Sequence, residues 1–123
     1  MTNRSDETTG WTAGAMVFSG RPDPQWTLPP RVAAMLLALW ERAPALADAP
    51  SVPTRLGYRA CWARAPSGVR FVAVSGAILR ESSMGRKEAR GDMGREFEQA
   101  VIASAPPDAL PPGAGDVPAR GPR

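Results

Sequence analysis

The chain contains no histidine and one cysteine, Cys61. Without histidine it lacks the side chain that titrates nearest neutrality, the commonest general base and metal ligand. One cysteine permits neither an intramolecular disulfide nor a cysteine-rich zinc site. Ser-His-Asp and Cys-His mechanisms are therefore excluded within one chain. Asp/Glu sites for hard ions stay open, but no run carries the Asp/Asn spacing of a calcium loop. No G-x-G-x-x-G, Walker A or G-x-S-x-G pattern is present. The longest apolar run, Val32 to Trp40, is too short to span a bilayer, and Thr2 to Glu7 holds no apolar secretory segment. These absences predict a cytoplasmic protein with no membrane contact, no cofactor and no metal.

What is there is small and basic. The 123 residues allow one domain, expected over residues 14–105 between a polar arm (1–13) and a Pro/Gly-rich tail (106–123), both predicted to be disordered. Net charge is +3, and every basic residue except Lys87 is arginine. The excess lies mid-chain: Gly20 to Arg70 holds seven arginines against Asp23, Glu41 and Asp48. A nucleic-acid binder usually shows a denser basic face.

Ala15 to Ser19 reads as a first strand ended by Gly20. Pro22 and Pro24 hold Arg21 and Asp23 out of the helical region, which makes a stiff, extended loop displaying both charges. Thr27 cannot cap the following helix, because Pro29 and Pro30 have no N–H to offer it. The helix therefore begins at Pro30 as its first residue, with Val32, Met35, Leu36, Leu39 and Ala43 as its buried stripe. Trp40 falls one residue off that stripe and is expected to be half exposed, and Pro44 stops the helix.

Two alternating runs follow, Gly57 to Arg64 and Val69 to Val74, joined by a Pro66-Ser67-Gly68 turn. The alternation groups Tyr58, Ala60 and Trp62 toward the helices, with Arg59, Cys61 and Ala63 opposite. Ser75-Gly76 is read as a bulge or bend before Ala77 to Arg80, and the charged Glu81 to Gly91 as a solvated loop. Asp92 caps a second helix whose shared face is Met93, Phe97, Ala100, Val101 and Ser104. The result is an α+β class fold, a β-α-β-β-α two-layer domain with a three-stranded, largely antiparallel sheet and two helices on one face.

Phe18-Ser19-Gly20-Arg21-Pro22-Asp23-Pro24, with Trp26 and Leu28, resembles a signature F-S-G-R-P-(D/N)-P-x-W-x-L of small bacterial proteins with no assigned activity. Leu56-Gly57-Tyr58-Arg59 is similar to that group's L-G-Y-R element, and Asp92, Arg95 and Glu98 to its D-x-x-R-x-x-E element. The chain departs from the pattern at Pro29-Pro30, where relatives often carry Ser or an acid. The resemblance implies no activity.

Two sets of candidate site residues emerge. Arg21, Asp23 and Trp26 form a candidate ligand or partner loop, in which an Arg fork could hold a carboxylate or phosphate; the plainer reading is an ion pair or Asx-type turn that fixes the loop. Asp92, Arg95 and Glu98 at i, i+3, i+6 read as ordinary surface ion pairing, and with Arg59 as a candidate loop-helix network. Cys61 reads as a small buried hydrophobe. The sequence points to a non-enzymatic binding or accessory module that contacts another protein or its own copy. The alternatives are an anion or nucleic-acid binder using Arg21, Arg59 and Arg70, and an enzyme using Asp23, Asp92 or Glu98.

Overall fold

The computed structural model describes residues 8–18, 23–48, 50, 57–107 and 109; the side chains of Phe18 and Tyr58 lie outside this description, as do most of the two expected terminal arms. The elements are β1 (Thr12–Phe18), β2 (Gln25–Thr27), α1 (Pro30–Arg42), β3 (Gly57–Arg64), β4 (Arg70–Val74), β5 (Ala77–Glu81), β6 (Lys87–Gly91), a 3₁₀ turn (Met93–Arg95) and α2 (Glu96–Ala103). Among the described residues, no helix is long and apolar enough to cross a membrane.

The class is α+β, but the sheet has six strands in the order β2-β1-β3-β4-β5-β6, not three. Every neighbouring pair is antiparallel. Two of the added strands lie in stretches read as loops. Trp26 carries β2 because its ring is buried while Gln25 and Thr27 are exposed, a period-2 pattern only three residues long. The charged β6 is an edge strand, where alternating Lys, Glu and Arg discourage further pairing. Its outer edge is also covered, since Gly91 N–H donates to the Pro44 carbonyl (2.7 Å) and Leu46 N–H to that of Ala89 (3.0 Å).

Ser75-Gly76 is neither bulge nor bend. Both residues have positive φ (50° and 81°), and Val74 pairs with Ala77 across them, which makes a two-residue hairpin of the primed type.

The face that meets the helices is floored with small residues: Ala13, Ala15, Cys61, Ala63 and Ala73. This lets the helices approach closely, and Leu36, Trp40, Phe97 and Val101 supply the bulk. The expected grouping of β3 is thereby reversed for the described side chains. Cys61 and Ala63 face the helices, while Ala60 and Trp62 form a second cluster with Val72 and Val74 on the other face. The Trp62 ring lies across Gly14 on β1. A β-carbon at Gly14 would meet ring carbons at 2.5 and 2.6 Å and the Pro24 carbonyl oxygen at 2.8 Å.

The first helix starts at Pro30, after an extended Pro29 and with no side-chain cap. Its buried stripe is rotated from the expected one. Val32, Ala33, Leu36 and Trp40 are buried, whereas Met35 is 51% exposed. Trp40 has the larger apolar surface to remove from water, so the helix turns that residue inward. Phe97 and Val101 of α2 are buried as expected; Met93 precedes the helix and is 69% exposed.

Candidate functional site

Arg21 lies outside the described residues. Asp23 is exposed, and its Oδ1 accepts the Val17 N–H at 2.9 Å, tying the β1–β2 connection back to β1. Trp26 is buried on the inner face, and its Nε1–H donates to the Ser104 hydroxyl at 2.9 Å. The two described members of this set thus make internal contacts with different elements.

Asp92, Arg95 and Glu98 do not form one surface stripe. Asp92 precedes the helix and is buried, its Oδ1 accepting Phe97 N–H (2.8 Å) and its Oδ2 accepting Glu98 N–H (3.1 Å). It satisfies two donors at the start of α2, the role of a capping carboxylate. Burial pushes its pKa up, and the nearby Glu96 adds to this; the two backbone donors and Arg95 pull the other way. Arg95 adopts the left-handed conformation (φ 57°) at the helix entry, and no ion pair joins it to Asp92 or Glu98 among the described residues. Glu98 is only 2% exposed, on the core side of α2, so the surface reading is overturned by the helix phase that buries Phe97 beside it. Arg59 is half-buried in β3, where the pairing with β1 slips by one residue between Met16 and Val17. Cys61 is buried, its Sγ 3.7 Å from the Glu98 carbonyl oxygen.

The feature that looks outward lies elsewhere. A cleft of about 380 Å³ opens between α1, the β3–β4 turn and β5. Its floor is Trp11, Trp40 and Phe71, with Leu37 and Val69 at its sides and Glu41 and Arg80 as the charged lining residues among those described. Trp11 stacks on Phe71 (ring centroids 5.9 Å, 13° between planes), and Trp40 meets the same ring edge-on (5.5 Å, 67°). Leu37, Trp40 and Glu41 come from one side of α1 by i, i+3, i+4 spacing.

Neighbouring strands hold Trp40 in place. Arg90 of β6 donates from Nη1 to the Trp40 carbonyl (2.7 Å), and its guanidinium carbon lies 4.2 Å from the indole centroid. Glu88 accepts from Arg90 Nε at 2.9 Å, and Arg80 approaches the same carboxylate at 4.0 Å. A cation near the last carbonyls of a helix also complements its dipole. The opposite wall is a closed turn, with Ala65 N–H to Val69 O (2.9 Å) and Gly68 N–H to Ala65 O (3.0 Å), Gly68 supplying φ 98°.

Sequence reading missed this cleft because its aromatics come from three distant segments, one of them the supposed N-terminal arm. The signal that could have found it was Trp40 with Leu37 and Glu41 on one helix face. The described residues of the cleft offer one exposed carboxylate, one guanidinium and the Ser67 hydroxyl, which do not make a catalytic constellation. Nor do three or more Asp, Glu or Cys residues converge as a metal site among the described residues. Among the described residues, the sheet face that carries Trp62 offers no free stacking platform, because Trp62 is nearly covered, lying against Gly14 with the Arg64 guanidinium 5.1 Å from its centroid.

No protein-family model, curated protein or solved structure matches the chain.

Proposed function

We propose that this chain is a non-catalytic, cytoplasmic binding module that engages another protein by seating one of its apolar side chains in the Trp11–Trp40–Phe71 cleft. The observation that carries this reading is an aromatic-floored cavity of side-chain size with one charge of each sign among its lining residues. Interfaces concentrate their energy in such places, where an anchor residue enters a preformed apolar pocket and the polar surroundings set orientation. Glu41 and Arg80 give that orientation here, favouring a partner with a basic and an acidic group on either side of its anchor.

The pinned indole and the closed turn support the same reading, because a preorganised pocket spends little binding energy on ordering itself. Asp23 and Trp26 belong in this proposal to the scaffold, and Asp92, Arg95, Glu98 and Arg59 to the seating of α2 and β3.

Random peptides displayed and selected against the chain, and in parallel against its Leu37→Glu variant, test the proposal. Enriched sequences sharing an aromatic or leucine anchor, and lost with the variant, are expected. Equal enrichment by both proteins, or none by either, contradicts it.

A further inference from the structure

The face of the sheet opposite the helices carries a second concavity, independent of the aromatic cleft and about 500 Å³ in volume. Met16, Leu46, Val72 and Leu79 give it an apolar lining. Leu46 is 39% exposed, an aliphatic side chain left facing water at the groove. Volume and lining both fall in the range of small-molecule sites.

The charges around it do not cancel. Lys87 pairs with Glu81 at 3.6 Å, and Arg80 with Glu88 at 4.0 Å. Arg70 remains. It stands directly across the ladder from Glu81 on one side and from Arg64 on the other, yet among the described residues no carboxylate pairs with it. Its Nε is packed out of contact with water and, among the described residues, has no acceptor. The stem is therefore held by the sheet, and the guanidinium is a placed cation rather than a swinging one. Arg80 and Glu88 touch the groove from positions whose side chains alternate to the helix side, where Arg80 lies 6.0 Å from the Trp40 ring; on the groove's own face Arg70 and Lys87 stand against Glu81, an excess of one positive charge. That balance suits a monoanion better than a phosphate dianion, which would also meet Glu81. A planar guanidinium matches a carboxylate in shape and donor spacing.

We infer that this groove is a binding site for a small aliphatic carboxylate, whose chain lies on Met16, Val72 and Leu79 and whose head group pairs with Arg70. The inference does not depend on the protein-binding role of the cleft, since the two sites lie on opposite faces of the sheet.

Titration of the full chain with octanoate, followed by amide ¹H–¹⁵N spectra, tests it, with octanol and octylammonium as probes of equal chain length. Octanoate should shift the amides of Val72, Leu79 and Ala89 and bind about tenfold or more tighter than octanol, as loss of a charged hydrogen-bonded pair implies. Arg70→Gln should abolish that preference, and Arg70→Lys, which keeps the charge, should retain part of it. Equal binding of octanoate and octanol by the unaltered chain overturns the inference, as does an Arg70→Gln variant that still prefers octanoate. Should Arg70→Gln fail to fold, Arg70→Lys decides: a variant that binds octanoate no better than octanol overturns the inference. Octanoate shifts confined to Leu37 and Phe71 overturn it as well.

Discussion

Trp26 on the edge strand and Ser104 at the end of the last helix are joined by one hydrogen bond, indole Nε1–H to hydroxyl at 2.9 Å, across 78 residues of chain. The Ser104 hydroxyl in turn donates to the Val101 carbonyl, so the bond ties β2 into α2. Ser104→Ala leaves a buried indole N–H without its acceptor, at a cost of about 1–2 kcal/mol. Urea unfolding of Ser104→Ala, Trp26→Phe and the double variant should return a coupling energy of about 1 kcal/mol between the two positions.

How much of this was legible in the sequence depended on how local the cause was. The start of α1 at Pro30 follows from two prolines that lack N–H groups, and the structure has it there. Asp92 as the cap of the second helix was readable in the same way, although a 3₁₀ turn intervenes. The orientation of β3 was not. Alternation tells which residues share a face, but not which face the helices cover, and here bulk misleads. Trp62 points away because the inner face must be shallow, and Gly14 makes room for its ring on the other side. The cleft was out of reach for a related reason, since Trp11, Trp40 and Phe71 meet only through tertiary packing.

Gly14→Ala tests that account of Trp62. The new methyl would sit 2.5 Å from the ring and 2.8 Å from a backbone oxygen, too close for either to remain in place. A loss of about 1–3 kcal/mol is expected, the range for overpacking. A smaller side chain at position 62, as in Trp62→Leu, should recover part of it in the double variant, because only the ring contact is relieved.

Asp92 makes stability depend on pH in a defined direction. Its carboxyl is raised from an ordinary value of 3.8, chiefly by burial, so the folded state holds the proton more tightly than the unfolded chain. Protonation thus favours folding. The unfavourable contribution of the charge is absent below the unfolded value, grows as pH rises toward the native one, and is constant above it. Relative to Asp92→Asn, which has no such titration, the unaltered protein should gain stability as pH falls through the native value. Asp92→Ala loses both bonds to the α2 entry and should cost about 1–2 kcal/mol at neutral pH. Chemical unfolding across the acid range reads both outcomes.

Arg90 should matter to the cleft as well as to the fold. Arg90→Ala removes the bond to the Trp40 carbonyl and the cation over its ring, with an expected loss of about 1–3 kcal/mol. Near-ultraviolet circular dichroism should show a less fixed tryptophan environment even where far-ultraviolet signal is retained.

Amide and indole chemical-shift mapping with a minimal anchor, N-acetyl-tryptophanamide, tests the central claim most directly. The account predicts saturable shifts at Leu37, Val69, Phe71 and the Trp40 and Trp11 indoles, absent in Leu37→Glu. Shifts scattered over the surface, or none at concentrations that saturate ordinary aromatic pockets, would contradict it.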